Sequence, residues 1–174
     1  MFHKEDVAIE DDWISNEWLP ESLQRKLYTI SISRQGAINT GGNTVVDKEV
    51  RLNSALEFLL YLPRALQIGI FSPMPSLWGG EASSPVTTFA RKTFGVLTFF
   101  FYFCLLGFIL GSIRHHKNVI VWIFVSFSLL GILVFAYTYP NIGTLLRFRY
   151  GFYMIIISFG AASIFEFFMQ KSQA

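Results

Sequence analysis

The sequence predicts an all-α membrane protein: three transmembrane helices preceded by a kinked interfacial or re-entrant helix and a small polar N-terminal region. Three observations predict this. Hydrophobic residues make up 52% of the 174 positions, with 19 phenylalanines, more than a soluble domain of this length needs to fill a core. The excess lies in the second half, in runs about as long as a bilayer is thick. The charges lie elsewhere: the first 21 residues hold seven acids and one lysine. The net charge of +2 leaves no basic footprint, so no nucleic-acid partner is expected. The single Cys104 excludes an intrachain disulfide and disfavours a thiolate metal site; no cofactor and no metal are expected. No charged-then-apolar leader is visible at the N-terminus.

Residues 1–52 read as the polar N-terminal region with one short helix. Residues 1–18 form an acidic lead-in whose large apolar anchors are Trp13 and Trp18. Pro20 suits a first helical turn, and Leu23, Leu27 and Ile30 recur at helical spacing as the buried face. That helix is expected to end before Gly36, and within it Thr29 to Ser33 also alternates as a strand would. Gly41-Gly42-Asn43 reads as a turn, and Thr44 to Val50 as a short extended piece.

Residues 53–80 read as the interfacial or re-entrant helix and its Pro-rich turn. Ser54-Ala55-Leu56-Glu57 spells a capping box. The run to Phe71 contains Glu57, Pro63 and Arg64, which makes it a poor span. Pro73 and Pro75 end it, and Trp78 suits a headgroup level.

Residues 93–170 hold three spans, Phe94 to Ile113, Val119 to Tyr139 and Gly151 to Phe168. The short linker Arg114 to Asn118 makes the first two an antiparallel hairpin. Tyr137, Tyr139, Tyr150 and Tyr153 flank a polar island, Asn141 to Tyr150, read as a loop at the membrane edge. A bare count of flanking Lys and Arg slightly favours a cytoplasmic island. Gly107, Gly111 and the Gly160–Ser163 run offer small-residue surfaces for helix contacts.

Two readings fit each polar group. Arg147 and Arg149 either grip an anionic headgroup, with Asn141 and Thr144 as further donors, or snorkel beside an Asn-x-Gly turn. Arg64 either lines a polar cavity with Glu57 or snorkels while Glu57 caps its helix. Asp47 and Glu49, on one face if extended, are either a possible acidic site or a solvated face. His115 and His116 diverge and form no chelate, and Glu166 falls near the boundary within reach of Lys171.

The succession Leu19-Pro20, Val46-Asp47-x-Glu49-Val50-Arg51, Tyr61-Leu62-Pro63-Arg64-Ala65-Leu66, Phe71-Ser72-Pro73-Met74-Pro75-Ser76-Leu77-Trp78 and Pro140-Asn141-Ile142-Gly143-Thr144 with Arg147, Arg149 and Tyr150 is distinctive. It resembles the C-terminal region of bacterial multi-pass membrane proteins of cell-surface polysaccharide biosynthesis, described as glycosyltransferase-like. The likeness covers roughly residues 18–165. It implies a multi-pass protein of the inner (plasma) membrane, with the island outside and His115 and Lys117 in the cytoplasm. It implies a lipid-linked substrate, a polyprenyl-phosphate sugar, held by Arg147, Arg149, Asn141, Thr144 and Arg64. Family members are longer, and their catalytic carboxylate usually lies upstream. The resemblance therefore implies a C-terminal piece or an accessory subunit that holds a substrate rather than transforming one. A non-catalytic subunit packed against a larger membrane partner through the glycine surfaces is the alternative.

Overall fold

A computed structural model of the chain describes residues 13–41, 44–75 and 85–172. Its five helices are α1 (Glu21–Asn39), α2 (Ala55–Phe71), α3 (Pro85–Arg114), α4 (Val119–Thr138) and α5 (Ile142–Ser172). Among the described residues, three segments are long and apolar enough to cross a bilayer: Gly95–Arg114, Val119–Thr138 and Ile142–Gln170. The chain is thus an all-helical membrane protein. The third span begins at Ile142, not Gly151, so the polar island is the first turns of α5 rather than a loop.

α5 is the centre of the bundle, flanked by α3 and α4. α3 runs parallel to it in constant register: Phe101 meets Tyr153, Phe108 meets Phe159 and His115 meets Glu166. α4 runs antiparallel, with Phe135 stacked on Phe148 and Phe127 against Phe152. Missing side chains let α3 and α5 approach. A Cβ on Gly160 would strike the Cys104 carbonyl, and one on Gly111 would strike the Ser163 hydroxyl. The small-residue surfaces are therefore used inside the chain.

Arg147 and Glu166 lie nineteen residues apart on α5, about 28 Å of helix, which matches the hydrocarbon thickness of about 30 Å. In the α3 register these levels fall near Gly95 and Arg114, the limits of the first span.

The polar N-terminal part sits at the Asn141 end. The capping box of α2 forms as read: Ser54 Oγ accepts from the Glu57 amide, and the Glu57 carboxylate accepts from the Ser54 and Asn53 amides. α2 continues through Pro63 to Phe71 and packs on α4, with Gly69 seated against Ile132 and Ala136. Its outer face, Leu56, Leu59, Leu60 and Phe71, is exposed and apolar, as suits a helix at the edge of a bilayer. A shared core of Tyr28, Leu52, Phe58, Tyr61, Ile68, Tyr137 and Leu145 joins α1, α2, α4 and α5.

α1 departs from expectation twice. It runs through Gly36 to Asn39, and its buried face is Gln24, Tyr28, Ser31 and Arg34. Leu23 is exposed, and Leu27 and Ile30 are only partly covered. The polar stripe is inside because it has partners there. Gln24 accepts from the Asn16 amide and donates to the Asn16 and Leu19 carbonyls, which ties the lead-in to α1. Trp13 is buried against Tyr28, whereas Trp18 is exposed. Trp78 lies outside the described residues.

Candidate functional site

The island's helix has a built start. Asn141 Oδ1 accepts from the Gly143 amide at 3.0 Å and the Thr144 amide at 3.5 Å, so Asn141 caps α5. The Thr44 hydroxyl donates to the same oxygen at 3.0 Å. Val45 bridges Asn141, with Val46 N donating to Pro140 O and Ile142 N to Thr44 O. Asn141 is therefore occupied by the protein itself, and Thr144 is half-buried beside it.

Being two residues apart on a helix, Arg147 and Arg149 face nearly opposite ways. Arg149 is 2% exposed. It donates to the carbonyls of Gly69 and Ser72 and lies 4.5 Å from the centre of the Tyr153 ring. Those carbonyls end α2, where the last turn has no intrahelical donors and carries partial negative charge. Tyr102 of α3 donates to Phe71 O at 2.6 Å. Arg149 and Tyr102 together cap the C-terminus of α2, a need imposed by its position at the edge of hydrocarbon. Arg147 is exposed and makes no hydrogen bond or ion pair among the described residues.

The Thr44–Val50 piece is extended only as far as Val46. Asp47 adopts a left-handed backbone (φ 51°), and Lys48 and Glu49 form a turn. Asp47 and Glu49 are therefore not on one strand face. Glu49 is exposed and without a partner among the described residues. The Asp47 carboxylate is half-buried and accepts two bonds from Arg64, both at 2.9 Å, and one from the Tyr61 hydroxyl at 2.9 Å. Arg64 also donates to Gln67 and does not reach Glu57, which is spent on the cap.

This pairing sets the local charges. The Arg64 bond, with smaller help from Tyr61 and Arg34, holds the Asp47 carboxyl below its ordinary value of 3.8 against the opposing effect of burial. The same bond raises the Arg64 guanidinium. Burial pushes the Tyr61 phenol up to about 12. Behind them lies Arg34 of α1, fully buried, donating to Tyr61 Oη at 3.1 Å and Tyr137 O at 3.3 Å, with its guanidinium over the Tyr61 ring at 4.9 Å. Sequence reasoning missed Arg34 and Tyr61. The signal was the spacing of Gln24, Tyr28, Ser31 and Arg34 along one helical face.

At the other end of the spans, Glu166 accepts from Gln170 at 3.3 Å and pairs with His115 at 3.3 Å and Arg114 at 3.8 Å. His115 is thus held against α5. The Lys171 side chain lies outside the described ones. Among the described residues no group of His, Cys, Asp and Glu is placed to hold a metal.

The fold and these margins define a three-span α-helical membrane protein with a polar cap over one end. Compared with family models, with curated proteins and with solved structures, the chain finds no match in any of the three.

Proposed function

We propose that the chain is a non-catalytic membrane component of envelope polysaccharide assembly that holds the phosphate of a polyprenyl-linked sugar at the Asn141 end of the bundle. One observation carries this reading. Of the guanidiniums on α2 and α5, Arg64 is paired with Asp47 and Arg149 caps α2, while Arg147 stands exposed and unpaired at the hydrocarbon edge. A guanidinium at that depth suits a phosphate, which takes two parallel hydrogen bonds from it. The sequence resemblance supports the pathway and the inner (plasma) membrane as the location. Asn141, Thr144, Arg64 and Arg149 shape the margin instead of gripping the ligand. Asp47 is neutralised by Arg64, which removes the half-buried carboxylate of this margin as a general base.

The test is Arg147→Gln in the native cell. Surface glycan should be lost while the protein remains inserted and abundant. Normal glycan in that strain would sink the proposal.

A second reading has its own support: the spans leave most of their surface outward, with Phe99, Phe100, Phe103 and Leu106 exposed along α3. A larger membrane protein packed on that face makes the chain an accessory subunit. Arginine substitutions would then leave the complex intact, and Phe103→Ala with Leu106→Ala would dissociate it.

A further inference from the structure

Below Arg147, a groove of about 450 Å³ runs along one side of the seam between α4 and α5, with Phe108 of α3 at its side. Gly151, Met154, Ile155 and Ser158 line it from α5, and Phe124 and Ser128 line it from α4. Counted from Arg147, the first three of these α5 positions and Ser158 fall at i+4, i+7, i+8 and i+11. That is one face of a helix, with Arg147 at its head. Gly151 is the first residue of the groove, one turn below the guanidinium. A Cβ there would meet nothing within 4 Å, so its mouth is open.

We infer that this groove receives the isoprenoid chain of a polyprenyl phosphate whose phosphate is held by Arg147. The inference rests on the function proposed above and adds where the lipid chain goes. Charge complementarity places the headgroup at the Gly151 end: the groove's walls are apolar, and the unpaired Arg147 guanidinium heads the same face of α5 one turn above Gly151. Depth fixes the kind of chain. From Arg147 to Phe159, which also lines the groove, the helix descends about 18 Å, beyond the bilayer midplane at about 15 Å. An acyl chain of a glycerophospholipid anchored at Arg147 ends near the midplane, whereas a long polyprenyl chain continues past it.

The experiment measures binding of polyprenyl phosphates to the full chain in phosphatidylcholine nanodiscs, at equal mole fraction of a long-chain polyprenyl phosphate and of farnesyl phosphate. Polyprenol without phosphate is the third probe. Wild type should bind the long chain about tenfold more tightly than the short one. Gly151→Leu and Ser158→Phe should erase that preference, with helix content and melting temperature unchanged. An equal chain-length preference in wild type and both variants, or none in wild type while phosphate binding still requires Arg147, overturns the groove and leaves the headgroup reading standing. A chain-length preference lost in Gly151→Leu but indifferent to phosphate keeps the groove and overturns the headgroup reading. Binding that depends on neither chain length nor phosphate overturns both.

Discussion

The two ends of the membrane-spanning part of α5 solve the same problem in opposite ways. At the far end the Glu166 carboxylate is engaged by Arg114, His115 and Gln170, so the charge on α5 has partners within the chain. At the near end two guanidiniums, Arg147 and Arg149, have no carboxylate between them. Arg149 is satisfied by carbonyls at the end of a helix, which supply partial charge only. Arg147 is satisfied by nothing among the described residues. On α5, then, Glu166 is engaged within the chain, whereas Arg147 among the described residues is not. That asymmetry, and not the mere presence of arginines, marks the near end as the place to look for an anionic ligand.

The sharpest way to break the near end is Arg149→Met. It removes two donors from the Gly69 and Ser72 carbonyls in a site closed to water, each worth about 1–3 kcal/mol when left unsatisfied. The melting temperature in mild detergent should fall more than for any other single change here, and proteolysis after Phe71 should accelerate. Gly160→Ala tests the register that joins the two ends. Its methyl meets the Cys104 backbone, so α3 must shift, at a cost of about 1–3 kcal/mol. Paired helix contacts such as Phe101 with Tyr153 should loosen, which disulfide trapping between engineered cysteines would report.

Asp47→Asn keeps a residue tolerant of the left-handed backbone and removes the charge. The expected loss is about 1–2 kcal/mol at neutral pH. A carboxyl lowered on folding contributes stability that is present above its unfolded value and lost as the pH falls through its folded one. The melting temperatures of wild type and Asp47→Asn should therefore differ at neutral pH and converge as the pH drops below the ordinary carboxylate range. A difference that persists in acid would mean the charge is not what matters. Glu166→Gln acts at a largely exposed pair and should cost least, under about 1 kcal/mol, with the difference shrinking as salt is added.

The sequence was most legible where structure is local. The capping box at Ser54–Glu57 needs only four residues and forms as read. The first two spans follow from hydropathy and length. The small-residue surfaces meet inside the chain because α3 and α5 are parallel, a consequence of two short connections at opposite ends. What was not legible depends on neighbours. Asn-x-Gly followed by two arginines looks like a loop when taken alone; it is the start of a helix, capped by Asn141, with Arg149 taken up by the carbonyls that α2 brings. Asn141 before Ile142 and Leu145 was the cap signal that polarity masked. The same holds for α1: its buried stripe of Gln24, Tyr28, Ser31 and Arg34 inverts the usual amphipathic rule because the partners, Asn16, Tyr61 and Tyr137, come from elsewhere in the chain. Asp47 pairs with Arg64, seventeen residues away, instead of sharing a strand face with Glu49.

The most direct measurement sets Arg147→Gln beside Arg149→Gln and records polyprenyl phosphate binding and melting temperature for each in nanodiscs. Arg147→Gln should weaken binding at least about tenfold at the wild-type melting temperature, and Arg149→Gln should lower the melting temperature. Wild-type affinity in Arg147→Gln, or wild-type stability in Arg149→Gln, would contradict the division of labour between the two arginines.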